Sequence, residues 1–149
     1  MSEQIILELD TGEVTIELMP DKAPNHVARI KELAEEGFYD GIKLHRVIDG
    51  FMAQMGCPKG TGTGGSDKAD LRAEFNDVSH QRGVCSMARA QNPNSANSQF
   101  FICFDDASFL DGQYTAWGKV VAGMENVDAA ARGEPPANPT KIVSMRVAA

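Results

Sequence analysis

The sequence predicts a mainly β fold: a closed eight-stranded antiparallel β-barrel capped by two α-helices. Three observations carry this. Short apolar runs alternate with period two, as strands with one buried face do. Clusters of Gly, Asn, Asp and Pro separate the runs. No strand–helix–strand rhythm of the kind that builds a parallel sheet occurs, and closing the sheet on itself leaves no exposed edge. The 149 residues suit one domain over 1–149. There is no internal repeat, and GEPPANP at 133–139 lies too near the end to separate domains.

The elements follow in order. Ile5, Leu7 and Leu9 share one face, Asp10, Thr11 and Gly12 turn the chain, and Val14, Ile16 and Leu18 resume the alternation, giving a β-hairpin. Pro24 suits the first turn of a helix, in which Val27, Ile30, Leu33 and Ala34 recur at helical spacing until Gly37 stops it. IKLHRVI and FMAQMGC, within 42–57, read as a second hairpin with Asp49 and Gly50 as a two-residue turn. The stretch from Pro58 to Gln81, with GTGTGG at 60–65, is too long for a passive connector. Strands are predicted at Val84–Ala88, Gln99–Phe104, Thr115–Val121 and Lys141–Val147, and a short helix at Met124–Ala131.

Charge excludes some functions. Fourteen Lys and Arg against 21 Asp and Glu leave −7, which disfavours nucleic acid and anionic membranes as partners. No apolar run approaches the ~18 residues of a membrane span, and the opening MSEQIILELDTGEV has no basic start. A cytoplasmic location is expected. Cys57, Cys85 and Cys103 lack CxxC spacing and read as buried reduced thiols. His26 and His80 are not spaced with them as zinc ligands, so neither metal nor cofactor is expected. GTGTGG is followed by Ser66 and Asp67 where a phosphate loop needs Lys and Ser or Thr. A hydrolase built from His45, Ser86 or Ser98, and Asp49 lacks a nucleophile elbow.

The informative runs are LHRVIDGFMAQMG at 44–56 and SQFFICFDDASFLDG at 98–112. In the second, Phe100, Ile102 and Phe104 share one strand face, and Gln99, Phe101 and Cys103 the other. One face lines the core. The other either lies beneath a loop or lines an apolar slot with amides at its rim, as a peptide site would. Arg46 sits on a strand and faces either solvent or such a site. A two-residue turn sets Ile48 opposite Phe51 and Arg46 opposite Ala53, so that a bulge or strong coiling is needed to bring Arg46 beside Gln54.

These runs resemble the cyclophilins, peptidyl-prolyl cis-trans isomerases, over essentially the whole chain. Residues 44–56 are similar to the family pattern [F/Y]-H-R-x-I-x-x-F-M-x-Q-x-G, with Leu44 replacing the first aromatic. SMARAQNPNSANSQFFI at 86–102 and FLDGQYTAWGKV at 109–120 resemble two further signatures, and GTGTGG the family's glycine-rich loop. The resemblance implies Arg46 as the catalytic cation and a proline pocket of Phe51, Met52, Phe101 and Leu110. It implies substrate-backbone contacts from Gln54 and Gln99, His45 under the floor of the site, and Ala88, Arg89 and Ala90 as the edge along which an extended peptide lies. Arg89 replaces the usual Asn. Phe109 and Tyr114 stand where many eukaryotic members carry Trp and His, as in bacterial members. Without the indole N–H donor, weak cyclosporin binding is expected.

Proline-containing peptides and folding proteins are the implied partners, with the chain acting as a monomer. The alternative is a module that binds proline segments or holds unfolded chains, with incidental isomerisation.

Overall fold

The computed structural model describes residues 3–148. The first alternating runs pair as β1 (Gln4–Leu9) and β2 (Gly12–Leu18), burying Ile5, Leu7, Leu9, Val14, Ile16 and Leu18. Helix α1 (Pro24–Glu35) buries Val27, Ile30, Leu33 and Ala34. Its N-cap residue, Ala23, offers no side-chain acceptor. Glu74, far along the chain, supplies one instead: its carboxylate accepts from the backbone N–H of Asn25 at 3.2 Å and of His26 at 2.9 Å. The long loop is thereby pinned to the helix, and a Leu71–Ala96 bridge pins it again.

The remaining elements are β3 (Arg46–Ile48), β4 (Met52–Met55), β5 (Val84–Met87), β6 (Phe100–Cys103), β7 (Ala116–Ala122), α2 (Met124–Asp128) and β8 (Ile142–Ala148). A single 3-10 turn at Ser108–Leu110, not expected from the sequence, precedes β7. Helix α2 ends earlier than the predicted Ala131. The Arg132 guanidinium takes the carbonyls of Asp128 and Ala130, each at 2.7 Å, and a longer helix would need the first for its own ladder.

All ladders are antiparallel, in the order β3-β4-β6-β5-β7-β2-β1-β8. The expected closed barrel is corrected here, because β3 and β8 share no ladder and the sheet is a curled half-barrel. At one end residues 41–44 meet 140–142 through the Lys43–Lys141 bridge. Elsewhere the seam holds the segment 133–139, whose Pro135, Pro136 and Pro139 have no N–H to donate. Gly133 alone of that segment pairs with Val47, exchanging two backbone hydrogen bonds of 2.8 Å.

The two faces of β6 serve two apolar clusters. Phe100, Ile102 and Phe104 join the main core between the sheet and α1, where Phe100 meets Trp117 and Tyr39 edge to face at 5.4 and 5.5 Å. Phe101 and Cys103 join Met52 and Ala107 in a smaller cluster on the opposite face, flanked by Phe51, Leu110 and Tyr114.

Candidate active site

The smaller cluster is hollow. A cavity of about 120 Å³ is lined by Arg46, Phe51, Met52, Gln54, Ala88, Arg89, Phe101, Leu110 and Tyr114. Phe51, Met52, Ala88, Phe101 and Leu110 supply its apolar lining, and Arg46 and Gln54, from the neighbouring strands β3 and β4, bring a guanidinium and an amide to it beside Arg89 and Tyr114. This is the combination that orients a small ligand within an apolar slot. Phe101, only 4% exposed, meets Tyr114 edge to face at 5.8 Å, so the two rings set one corner.

The turn before β4 decides whether Arg46 and Gln54 meet. The expected two-residue loop is corrected to three residues, Asp49, Gly50 and Phe51, with the Phe51 N–H donating to the Ile48 carbonyl at 3.0 Å. Gly50 sits at φ 73, as the third residue of a type II turn requires. The extra residue shifts the register by one, pairing Ile48 with Met52 and Arg46 directly with Gln54. No bulge is involved.

Gln54 is oriented through Gln99. The Gln99 amide nitrogen faces two carbonyls, those of Gly62 at 3.0 Å and Gly64 at 2.9 Å, so it must be the donor end. Its Oε1 accepts from Gln54 Nε2 at 2.9 Å, leaving Gln54 Oε1 free to accept from a ligand. The glycine-rich loop thus orients the amide opposite Arg46. Gln99, Ala88, Arg89 and Ala90 also border a second cavity, of about 360 Å³, which adjoins the first at Gln54, Ala88 and Arg89. The two make one groove along the 88–90 edge. Arg89 stiffens that edge, lying 4.4 Å above the Tyr114 ring and donating to the Gln113 carbonyl at 2.7 Å.

Two predicted residues line neither of these cavities. Phe109 is 66% exposed at the rim, its ring 5.6 Å from that of Phe51. His45 is buried and borders a separate cleft with Arg46, Thr61 and Glu134. The floor of the slot is formed by Phe101 and Met52. Burial, reinforced by the Arg46 charge, lowers the His45 pKa and keeps the ring neutral near pH 7.

Sequence reading missed the support behind Phe101. Asp111 accepts from the His80 backbone N–H at 2.6 Å and lies 2.9 Å from His80 Nδ1, while His80 Nε2 lies 2.9 Å from Ser86 Oγ. His80 stacks on Phe101 at 6.2 Å. Ser86 is fully buried and cannot reach a substrate, so the chain is a brace and not a nucleophile. The parity of VCSM, which puts Cys85 and Met87 in the core and Ser86 on Phe101's side, was the available signal.

The cysteines are free and buried. Burial pushes Cys103 up to about 12 and Cys85 well above its ordinary value. At Cys57 burial acts the same way, but backbone N–H groups of 59–64 outweigh it and bring the thiol down to about 7. Among the described residues no group of His, Cys, Asp or Glu could hold a metal, and no helix is long and apolar enough to cross a membrane.

Residues 4–147 match the family described as cyclophilin type peptidyl-prolyl cis-trans isomerase/CLD. A probable peptidyl-prolyl cis-trans isomerase of Brucella suis biovar 1 is 52% identical over 161 aligned positions, covering 97% of this chain and 82% of that protein. Cyclophilin AquaCyp293 of Hirschia baltica superposes with a TM-score of 0.88 at 32% identity, over 95% of this chain and 72% of that one. A cyclophilin type isomerase of Cryptosporidium parvum, crystallised in the presence of the dipeptide Ala-Pro, superposes with a TM-score of 0.91 at 27% identity, over 98% and 99% of the two chains.

Proposed function

The chain belongs to the cyclophilin-type peptidyl-prolyl cis-trans isomerases, and from that premise we propose that it turns X-Pro bonds by stabilising the twisted amide with Arg46 while the 120 Å³ slot holds the proline ring. The substrates in this reading are proline-containing peptides and folding proteins.

The mechanism rests on amide physics. Rotation about an X-Pro bond breaks resonance over a barrier of about 18–20 kcal/mol and takes tens to hundreds of seconds unaided. No bond is cleaved, so neither nucleophile nor proton relay is needed. The requirement is to bind the twisted form better than either planar form. In the twisted amide the prolyl nitrogen regains its lone pair, and a permanently charged guanidinium can donate to it. Each tenfold acceleration needs about 1.4 kcal/mol of such preference.

Each wall has a part. Phe51, Met52, Phe101 and Leu110 hold the ring as a fixed pivot. Gln54, its free oxygen opposite Arg46, holds the flanking backbone, and the 88–90 edge aligns the extended peptide along the groove. The chain works as a monomer without a cofactor. The observation that carries this reading is the register pairing of Arg46 with Gln54 at the slot.

The test is a protease-coupled or NMR-exchange assay on an Ala-Pro peptide, comparing wild type with Arg46→Ala. A loss of kcat/KM of about a hundredfold, typical for removal of one transition-state donor, is expected with the fold unchanged. Full activity in the variant overturns the mechanism. A chain that binds the peptide without accelerating exchange is a binding module instead.

A further inference from the structure

We infer that Glu134 is a positioning residue for Arg46: its carboxylate fixes the plane of the guanidinium, so that the terminal amino groups point at the slot. The inference rests on the reading of Arg46 given above.

Arg46 Nε donates to Glu134 Oε1 at 3.1 Å. Among the described residues this is the guanidinium's only hydrogen bond; Gln54, directly across the ladder, makes none with it. An arginine side chain otherwise free at a half-exposed site loses rotamer entropy when it is fixed. A partner that fixes it beforehand removes part of that cost from the transition state, where alone the guanidinium donates to the prolyl nitrogen. The contact is made at Nε and leaves both terminal nitrogens without a protein acceptor, so Glu134 aims the fork without occupying it.

The acceptor is held to the same frame as the donor. Gly133, next to Glu134, pairs with Val47, next to Arg46, through two backbone hydrogen bonds of 2.8 Å. Gly133 adopts φ 145, and a Cβ there would lie 2.6 Å from Pro136 Cα, so only glycine lets the loop fold back on itself immediately before Glu134. Pro135 follows at once and fixes the chain on the other side of Glu134. The proline-rich seam that keeps the sheet from closing therefore delivers a carboxylate to the catalytic cation.

The magnitude is bounded. Arg46 and Glu134 side chains are 45% and 57% exposed, and ion pairs this open contribute at most about 1 kcal/mol, or roughly fivefold in rate at 1.4 kcal/mol per tenfold. Glu134→Ala is expected to lower kcat/KM about three- to fivefold, with the loss in kcat and KM within about 1.5-fold of wild type, because aim and not affinity is lost. Glu134→Gln, which keeps an acceptor without charge, falls between. In nitrogen-15 NMR spectra the Arg46 Nε–H signal is expected to exchange with water faster in Glu134→Ala than in wild type, reporting loss of the contact, while the kcat-against-KM split reports its role.

Wild-type kcat/KM in Glu134→Ala, or a loss carried by KM, overturns the inference. If Glu134→Ala does not fold, Glu134→Gln decides by the same criteria. Arg46→Ala is measured alongside. Should it keep full activity, the reading of Arg46 fails, whereas a slow Arg46→Ala beside a wild-type Glu134→Ala rejects only the role of Glu134.

Discussion

Arg46 on β3 and Gln54 on β4 are Cα partners in the ladder, brought opposite each other by a three-residue connection. One residue of loop length separates this pairing from one in which Arg46 faces Ala53.

Deleting Asp49 shortens the loop to two residues and moves Ala53 opposite Arg46. Isomerase kcat/KM in that variant is expected to fall at least about tenfold. Gly50→Ala is the control: a Cβ there meets nothing within 4 Å, so its cost is the positive φ alone, about 1–2 kcal/mol, read as a lower urea midpoint with activity within about twofold. Equal activity in the two variants would mean that register does not matter.

Arg46→Lys keeps the charge and loses the planar fork. A lysine presents a point charge on a flexible stem and cannot be aimed by a contact at one nitrogen, so kcat/KM should fall nearly as far as in Arg46→Ala. The melting temperature should hold within a few degrees, because the pair it breaks is open to solvent. Stopped-flow assay and calorimetry on the same preparations separate the two effects.

Phe109→Trp adds an indole N–H at an exposed rim position beside Phe51. If that donor accounts for tight cyclosporin binding in family members that carry Trp, one hydrogen bond of about 1–1.5 kcal/mol should tighten the Kd roughly tenfold by titration calorimetry. An unchanged Kd assigns the difference to another wall, with Tyr114 the next to test.

Stability should fall on mild acidification. Burial lowers the His26 pKa, opposed by Glu74 and aided by the Arg29 charge, and burial with the Arg46 charge lowers that of His45. Above the unfolded value of 6.5 both states hold these rings neutral, and the contribution is complete. Below it the unfolded chain takes up protons that the folded chain refuses, and stability declines until the folded pKa values are reached. Urea midpoints should therefore drop between pH 7 and 5.5, less steeply in His26→Gln. A pH-independent midpoint across that range removes the argument.

Features fixed by local periodicity were legible before the structure. The alternation of Ile5 to Leu18 gave the first hairpin, and the parity of Phe100 and Phe101 put the two rings on opposite faces, with the choice between loop and slot for the second left open. Family resemblance supplied Phe51, Met52, Gln54 and Leu110, which the structure gathers around one cavity. Features that depend on a single residue of spacing or on remote partners were not legible. Asp49-Gly50 reads as a two-residue turn until the Phe51 N–H is seen to close it. Pro135, Pro136 and Pro139 keep the sheet open only because the fold places them at its seam. Glu74 capping α1, Glu134 on Arg46 and Asp111 behind His80 join side chains 48, 88 and 31 positions apart, and no periodicity links such pairs.

The two-sided division of β6 has an evolutionary consequence. Phe100 and Phe101 are adjacent in the chain, yet they belong to separate apolar clusters on opposite faces of the sheet. Substitutions with no shared partners combine almost independently. Substitutions at the odd-numbered positions of this strand can therefore reshape the smaller cluster around the slot while the even-numbered positions go on specifying the main core. Alternate letters of the same short segment are open to separate selection.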